Sequence, residues 1–259
     1  MEQLFLFCAG SFVGYLSGLL GIGGGIVMFP LLLYGPPLLG LTPIGVKEIT
    51  GLTMMQGFFS SLSAVLFYHR QRLVNKRLAL TLGLSLSTAA LAGSFLSKWT
   101  NDRILLFIFG LLALAAAVAM LFRRDFSGDD ATEDNVTFHR PTAVIAGLTI
   151  GFLLGMVGQG GAFIIIPLLL YVLKVPLRVA MGSTLAIGLL SASAGLVGKV
   201  TTGQVPWLLS VAMLAGAVPF ARMGSRTSRK VDSKYLHRLL AFLIIATAVK
   251  IWVDIIRGL

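Results

Sequence analysis

A chain of 259 residues with 56% apolar and only 12% charged side chains, at a mean hydropathy of +0.91, is not a soluble domain, since such domains carry roughly 25% charged residues. The net charge of +11 would suggest nucleic acid in a soluble protein. Here the bases sit at the ends of apolar runs, where positive-inside topology and anionic lipid headgroups account for them. The single cysteine, Cys8, excludes an intramolecular disulfide and any multi-cysteine metal centre.

In chain order the apolar runs are Leu4–Leu33, Ile49–Tyr68, Leu78–Leu96, Ile104–Phe122, Thr142–Leu173, Val179–Val197, Val205–Phe220 and Leu239–Ile256. Lengths of about 20 residues predict membrane-crossing helices, and a barrel would show short alternating strands instead. The start, MEQLFLFC, has an acid and no base, so it reads as part of the first segment and not as a cleaved signal.

The first run contains GLLGIGGGIVMFPLLLY, from Gly18 to Tyr34, and the fifth contains GMVGQGGAFIIIPLLLY, from Gly155 to Tyr171. Between Ala9–Tyr34 and Ala146–Tyr171, 13 of 26 positions are identical, at an offset of 137. The match resumes at an offset of 131, pairing Thr53 with Thr184, Ser60 with Ser191 and Lys98 with Arg229. The chain therefore reads as two homologous units, 1–122 and 141–259, joined by a polar linker at 123–140.

Each glycine-bearing run is too long for one straight span. Four plain spans per unit would divide the bases ten to eleven between the two sides. A hairpin broken at the glycines, followed by three transmembrane helices, divides them fifteen to six and gathers Arg70–Arg77 with Arg222–Arg238. That bias predicts an all-α polytopic membrane protein of two inverted-topology units, with both termini outside the cytoplasm. Inverted-repeat carriers use such breaks to build a site near mid-membrane, aiming half-helix N-termini at anionic groups.

Gly10, Gly14, Gly18 and their partners Gly147, Gly151 and Gly155 form small-xxx-small ladders suited to close helix packing. The denser clusters, Gly21, Gly23 and Gly24 in one unit and Gly158, Gly160 and Gly161 in the other, are candidates for substrate approach. No Gly-Lys-Ser/Thr ending follows GIGGG, so it is no nucleotide loop. After the first break Thr53, Gln56, Ser60 and Ser63 share one helical face. The second unit keeps Thr184 and Ser191 there.

Gln56 faces Ile187 across the repeat and Gln159 faces Ile22, so each unit supplies one amide that fits a two-fold site to an asymmetric ligand. The hydroxyls have an ordinary alternative, bonding back to the i−4 carbonyl or between helices. Glu48, Asp102 and Asp254 lie near segment ends, whereas cation carriers place acids inside the membrane. Amides, hydroxyls and backbone N–H groups without an acid suit an anion. Lys199, Arg178 and Arg222, at span ends, could attract such an anion, but they read first as interfacial side chains reaching for water. An intramembrane enzyme would need a buried acid, histidine or activated nucleophile, and none is visible. A passive anion channel would use the same residues as a carrier.

The doubled GLLGIGGGxxxxPLLL phrase, with TGLTMMQGFFSS and MGSTLAIGLLSASAG after it, resembles the TauE/SafE, or sulfite exporter, family of membrane transporters. The resemblance covers nearly the whole chain. It implies a multi-pass carrier of the inner (cytoplasmic) membrane, using no cofactor, for small and often sulfur-containing anions such as sulfite, sulfonates or sulfoacetate. The expected partners are that anion and membrane lipids, with no nucleic acid. Ala162 stands where the first copy has Gly25.

Overall fold

The computed structural model describes residues 1–70, 72–121, 139–158 and 162–257. Residues 122–138, which include most of the polar linker, and Gln159, Gly160 and Gly161 lie outside the described residues. The described elements are helices: α1 (Glu2–Leu20), α2 (Gly25–Leu38), α3 (Val46–Arg70), α4 (Lys76–Leu96), α5 (Asp102–Leu121), α6 (Arg140–Val157), α7 (Ala162–Pro167), α8 (Leu177–Thr201), α9 (Trp207–Ser228) and α10 (Ser233–Ile256). A π-helical turn, Leu168–Val172, extends α7. Eight helices, all but α2 and α7, are long and apolar enough to cross a bilayer. The protein is an all-α, multi-pass membrane protein.

The predicted breaks are present where the glycines stand. α1 stops because Gly21 turns left-handed (φ 70°), its N–H closing on the Ser17 carbonyl at 2.9 Å. Gly158 ends α6 in the same way, with φ 75° and a 2.9 Å bond to Leu154. A residue with a Cβ resists this conformation by roughly 1–2 kcal/mol. α1 has 19 residues, about 28 Å at 1.5 Å per residue, so the turn lies well past mid-bundle and the two arms are unequal. α2 then runs back: Thr42, beyond its end, donates to Glu2, and Gly35 lies against the Phe5 ring.

The ladder glycines are contact points. A Cβ on Gly10, Gly14 or Gly18 would stand 2.1, 2.4 or 1.9 Å from the carbonyl oxygens of Met213, Ala217 and Ala221. α1 and α9 therefore lie parallel and backbone to backbone. A Cβ on Gly151 or Gly155 would stand 2.6 or 2.2 Å from the carbonyl oxygens of Leu86 and Ala90, so α6 lies parallel to α4. With little hydrophobic drive between helices in lipid, such close approach supplies the attraction. Gly14→Leu should consequently prevent assembly: the variant should run as aggregate in detergent size exclusion, and wild type as a single symmetric peak.

Other pairings come in matched sets: α3 with α8, α5 with α10, α3 with α9 beside α8 with α4, and α2 with α10 beside α7 with α5. Phe109 of α5 stacks on Phe29 of α2 at 4.4 Å and meets Phe163 of α7 at 6.2 Å, tying both returning arms to one helix. One end of the bundle holds the α3–α4 and α9–α10 turns, where Tyr68 contacts Ser228 and the Arg178 guanidinium donates to the Val231 carbonyl. The other end holds the starts of α1 and α3 and the end of α4, where the Lys47 ammonium donates to the Lys98 carbonyl. Trp99 and Trp207 are exposed, as interface anchors should be. Trp252 is half-buried and donates to the Gly110 carbonyl at 3.0 Å.

Candidate functional site

Gln56 stands near the middle of α3 with no exposed surface, and neither its amide nitrogen nor its oxygen has a hydrogen-bond partner. An orphaned buried amide costs stability, about 1–3 kcal/mol. The amide lies against the start of α2, where a Cβ on Gly24 would be 2.6 Å from Nε2. Gly24 is itself left-handed (φ 81°), and no side chain caps the helix it begins. Val27 and Met28 return their N–H groups to the Gly24 carbonyl, whereas Gly25 and Ile26, at the first two positions of α2, have no carbonyl of the helix to take theirs. Donors, a helix dipole and an unused amide converge there.

The hydroxyls of Ser60 on α3 and of Thr184 and Ser191 on α8 are also buried without partners. Ser60 lies one turn beyond Gln56, and α8 packs against α3. Thr53 is engaged differently: its hydroxyl is 2.8 Å from the Gly158 carbonyl and 2.9 Å from that of Ile49, pinning the second break to α3. Its repeat partner Thr184 makes no such bond.

Gly21 and Gly158 press on the opposite unit, where a Cβ would meet the Met181 carbonyl at 2.6 Å and the Thr50 carbonyl at 2.0 Å. Gly23 is left-handed at φ 63°. The structure thus brings Gly24 and Gln56 together, and places Thr53 and Gly158 in one contact. Gln159, Gly160 and Gly161 are outside the described residues.

Two further polar nodes were not legible as such. Lys199, expected to reach for water, is fully buried. Its ammonium donates to Ser97 Oγ at 2.7 Å, Thr50 Oγ1 at 2.8 Å, and the Met156 carbonyl and Gln204 Oε1 at 3.1 Å each. Tyr68, at the matching position of the first unit, reaches Ser228 at 2.9 Å and the Gly18 carbonyl at 3.1 Å. Ser97 and Ser228 correspond by the same offset of 131. Each node joins the end of a long helix to the helix that ends at a glycine break.

At the Tyr68 end, a pocket of about 240 Å³ between α3 and α9 is lined by Arg70, Arg222, Arg226, Ser63 and Ser225. At the Lys199 end, a pocket of about 210 Å³ includes Glu2 and Glu48. Among the described residues Asp254 is the one buried carboxylate, and it is paired with Lys250 at 2.7 Å near the end of α10. No group of three His, Cys, Asp or Glu side chains among the described residues is placed to hold a metal ion.

Known proteins are similar in sequence over nearly the whole chain. A probable membrane transporter protein of Bacillus subtilis (strain 168), YunE, is 23% identical and covers 95% of both chains. One of Methanocaldococcus jannaschii is 25% identical, covering 92% of this chain and 91% of its own. Another, from Xylella fastidiosa (strain Temecula1), is 29% identical over 93% of this chain and 91% of its own. No solved structure matches significantly. The family model for the sulfite exporter TauE/SafE matches residues 6–251, so this chain, with its two glycine-broken helices, belongs to the TauE/SafE family of membrane transporters.

Proposed function

We propose that the protein is a secondary carrier of small oxyanions, sulfur-containing ones such as sulfite or sulfonates first among them, across the cytoplasmic membrane. The observation that carries this reading is the buried, unpartnered Gln56 amide against the uncapped start of α2, with the unpartnered Ser60 hydroxyl one turn further along α3. A helix N-terminus presents roughly half a positive charge and free N–H donors. Such a site compensates an oxyanion and offers a metal cation or an amine no carboxylate. Gly21, Gly23, Gly24, Gly158, Gln159, Gly160, Gly161, Thr53, Gln56 and Thr184 form the proposed substrate region, with Gly21 and Gly158 shaping the breaks from behind.

Purified protein in liposomes should carry sulfite or a sulfonate saturably and against a neutral isostere of similar size. Flux that rises linearly without saturation would mark a channel, and preferred transport of a neutral or cationic compound would end the anion reading.

We further infer that residues 1–122 and 141–259 are inverted units joined at 123–140. The matched helix pairings and the common end shared by the two arginine-rich turns support it, as does the fifteen-to-six division of bases. A phosphatase active only outside the cytoplasm, fused after Leu259, should be active. A fluorescent protein inserted after Ser127 should be cytoplasmic. An inactive phosphatase on a well-expressed chain would refute the inversion.

A further inference from the structure

The Lys199 node holds more charge than its structural task requires. Thr50 Oγ1 donates its own proton to the Lys47 carbonyl at 2.7 Å, and Ser97 Oγ donates to Ser94 at 2.6 Å. Both hydroxyls therefore turn lone pairs to Lys199. The Gln204 amide nitrogen donates to Thr202 at 2.7 Å, which aims its oxygen at the same point. Four acceptors converge on a side chain with three N–H donors, so the hydrogen bonding suits an ammonium. No carboxylate belongs to the set.

The α6 carbonyl end adds partial negative charge, but a whole charge buried among neutral dipoles still lacks a counter-charge. At the other end the equivalent node is built with the neutral phenol of Tyr68. Joining the helices does not need a cation.

The polar side of α3 runs between the two ends. Ser63 lines the arginine pocket, Ser60 and Gln56 are the unpartnered groups at mid-helix, Thr53 holds the second break, and Thr50 bonds Lys199. Cationic groups thus stand at both ends of a row of neutral polar side chains, of which Gln56 and Ser60 are unpartnered. Arg70, Arg222 and Arg226 lie at the mouth and Lys199 at the far end.

We propose that the Lys199 ammonium is a second subsite for the transported oxyanion, at the end of its path opposite the arginine pocket. There the anion replaces neutral acceptors and supplies the missing counter-charge. This rests on the anion-carrier reading above.

The test is sulfite and sulfoacetate binding to the purified protein by calorimetry, with liposome flux alongside. Lys199→Gln keeps hydrogen bonding and removes the charge, so affinity should fall at least tenfold. Lys199→Arg keeps the charge in a different shape and should fall between. Thr50→Val and Ser97→Ala keep the ammonium and strip a competing acceptor, so they should bind sulfite at least as tightly as wild type.

A merely structural lysine predicts the reverse order, with Gln mild and the acceptor variants impaired. Should Lys199→Gln fail to fold, the two acceptor variants decide, and weaker binding in both overturns the proposal. Wild-type flux with unchanged affinity in Lys199→Gln sinks this subsite alone. No wild-type binding or flux with either anion sinks the carrier reading as well.

Discussion

Gln56→Leu should yield a protein that melts higher and transports less. In wild type the Gln56 amide is wholly buried with both polar atoms unpartnered. Replacing it with an apolar group of similar size removes a desolvation penalty of about 1–3 kcal/mol. If the amide were only a packing residue, the gain in stability would come without loss of function. If it binds substrate, the same change removes a donor from the site, the usual opposition between stability and activity at functional positions.

Gln56→Glu sharpens the test, since it keeps the shape, turns a donor into an acceptor and adds a negative charge. Two like charges about 4 Å apart repel by about 4 kcal/mol at an effective dielectric near 20, roughly a thousandfold in affinity. Anion flux should therefore fall far more in Gln56→Glu than in Gln56→Leu. Thermal melting and liposome flux, measured on the same preparations, check both claims. A Glu variant that carries the anion normally removes Gln56 from the site.

The sequence makes the breaks and the spans readable, because glycine density and apolar run length are local properties. Gly21, Gly24 and Gly158 adopt left-handed backbone where the doubled phrase predicts irregularity, and the ladder glycines meet backbone carbonyls as their spacing implies. The mid-helix position of Gln56 is equally local.

Lys199 was hidden for the opposite reason. Two residues from the end of α8, it has the sequence context of any interfacial lysine, and only its neighbours from α3, α4 and α6 show that it faces inward. One signal existed: the 131-residue offset aligns Lys199 with Tyr68 and Ser97 with Ser228. Two large polar side chains matched at the same helix end, each with a matched serine, mark a shared contact. The different fates of Thr53 and Thr184 had no such signal, since they are the same residue at equivalent positions and differ only in what the break presents to them.

Gly24 offers the second large effect, and its cause can be separated from simple misfolding. A Cβ at Gly24 would fall 2.6 Å from the Gln56 amide nitrogen and 2.9 Å from Val13 Cγ1. Both are tips of side chains, not backbone, so the neighbours can give way, unlike the Ala217 carbonyl beneath Gly14. The left-handed backbone at φ 81° adds about 1–2 kcal/mol for an alanine, which a folded membrane protein of this size tolerates. Gly24→Ala should therefore insert and remain monodisperse while displacing the amide, and flux should fall on the order of tenfold, the worth of about one hydrogen bond to a charged ligand. If the loss runs through Gln56, it must vanish when Gln56 is already gone. In a double-mutant cycle, Gly24→Ala should cost little further flux on a Gln56→Ala background, the non-additivity expected of two residues in contact. Independent, additive losses would mean that the glycine acts on the path itself and not through the amide, and the pairing of Gly24 with Gln56 as one site would have to be abandoned.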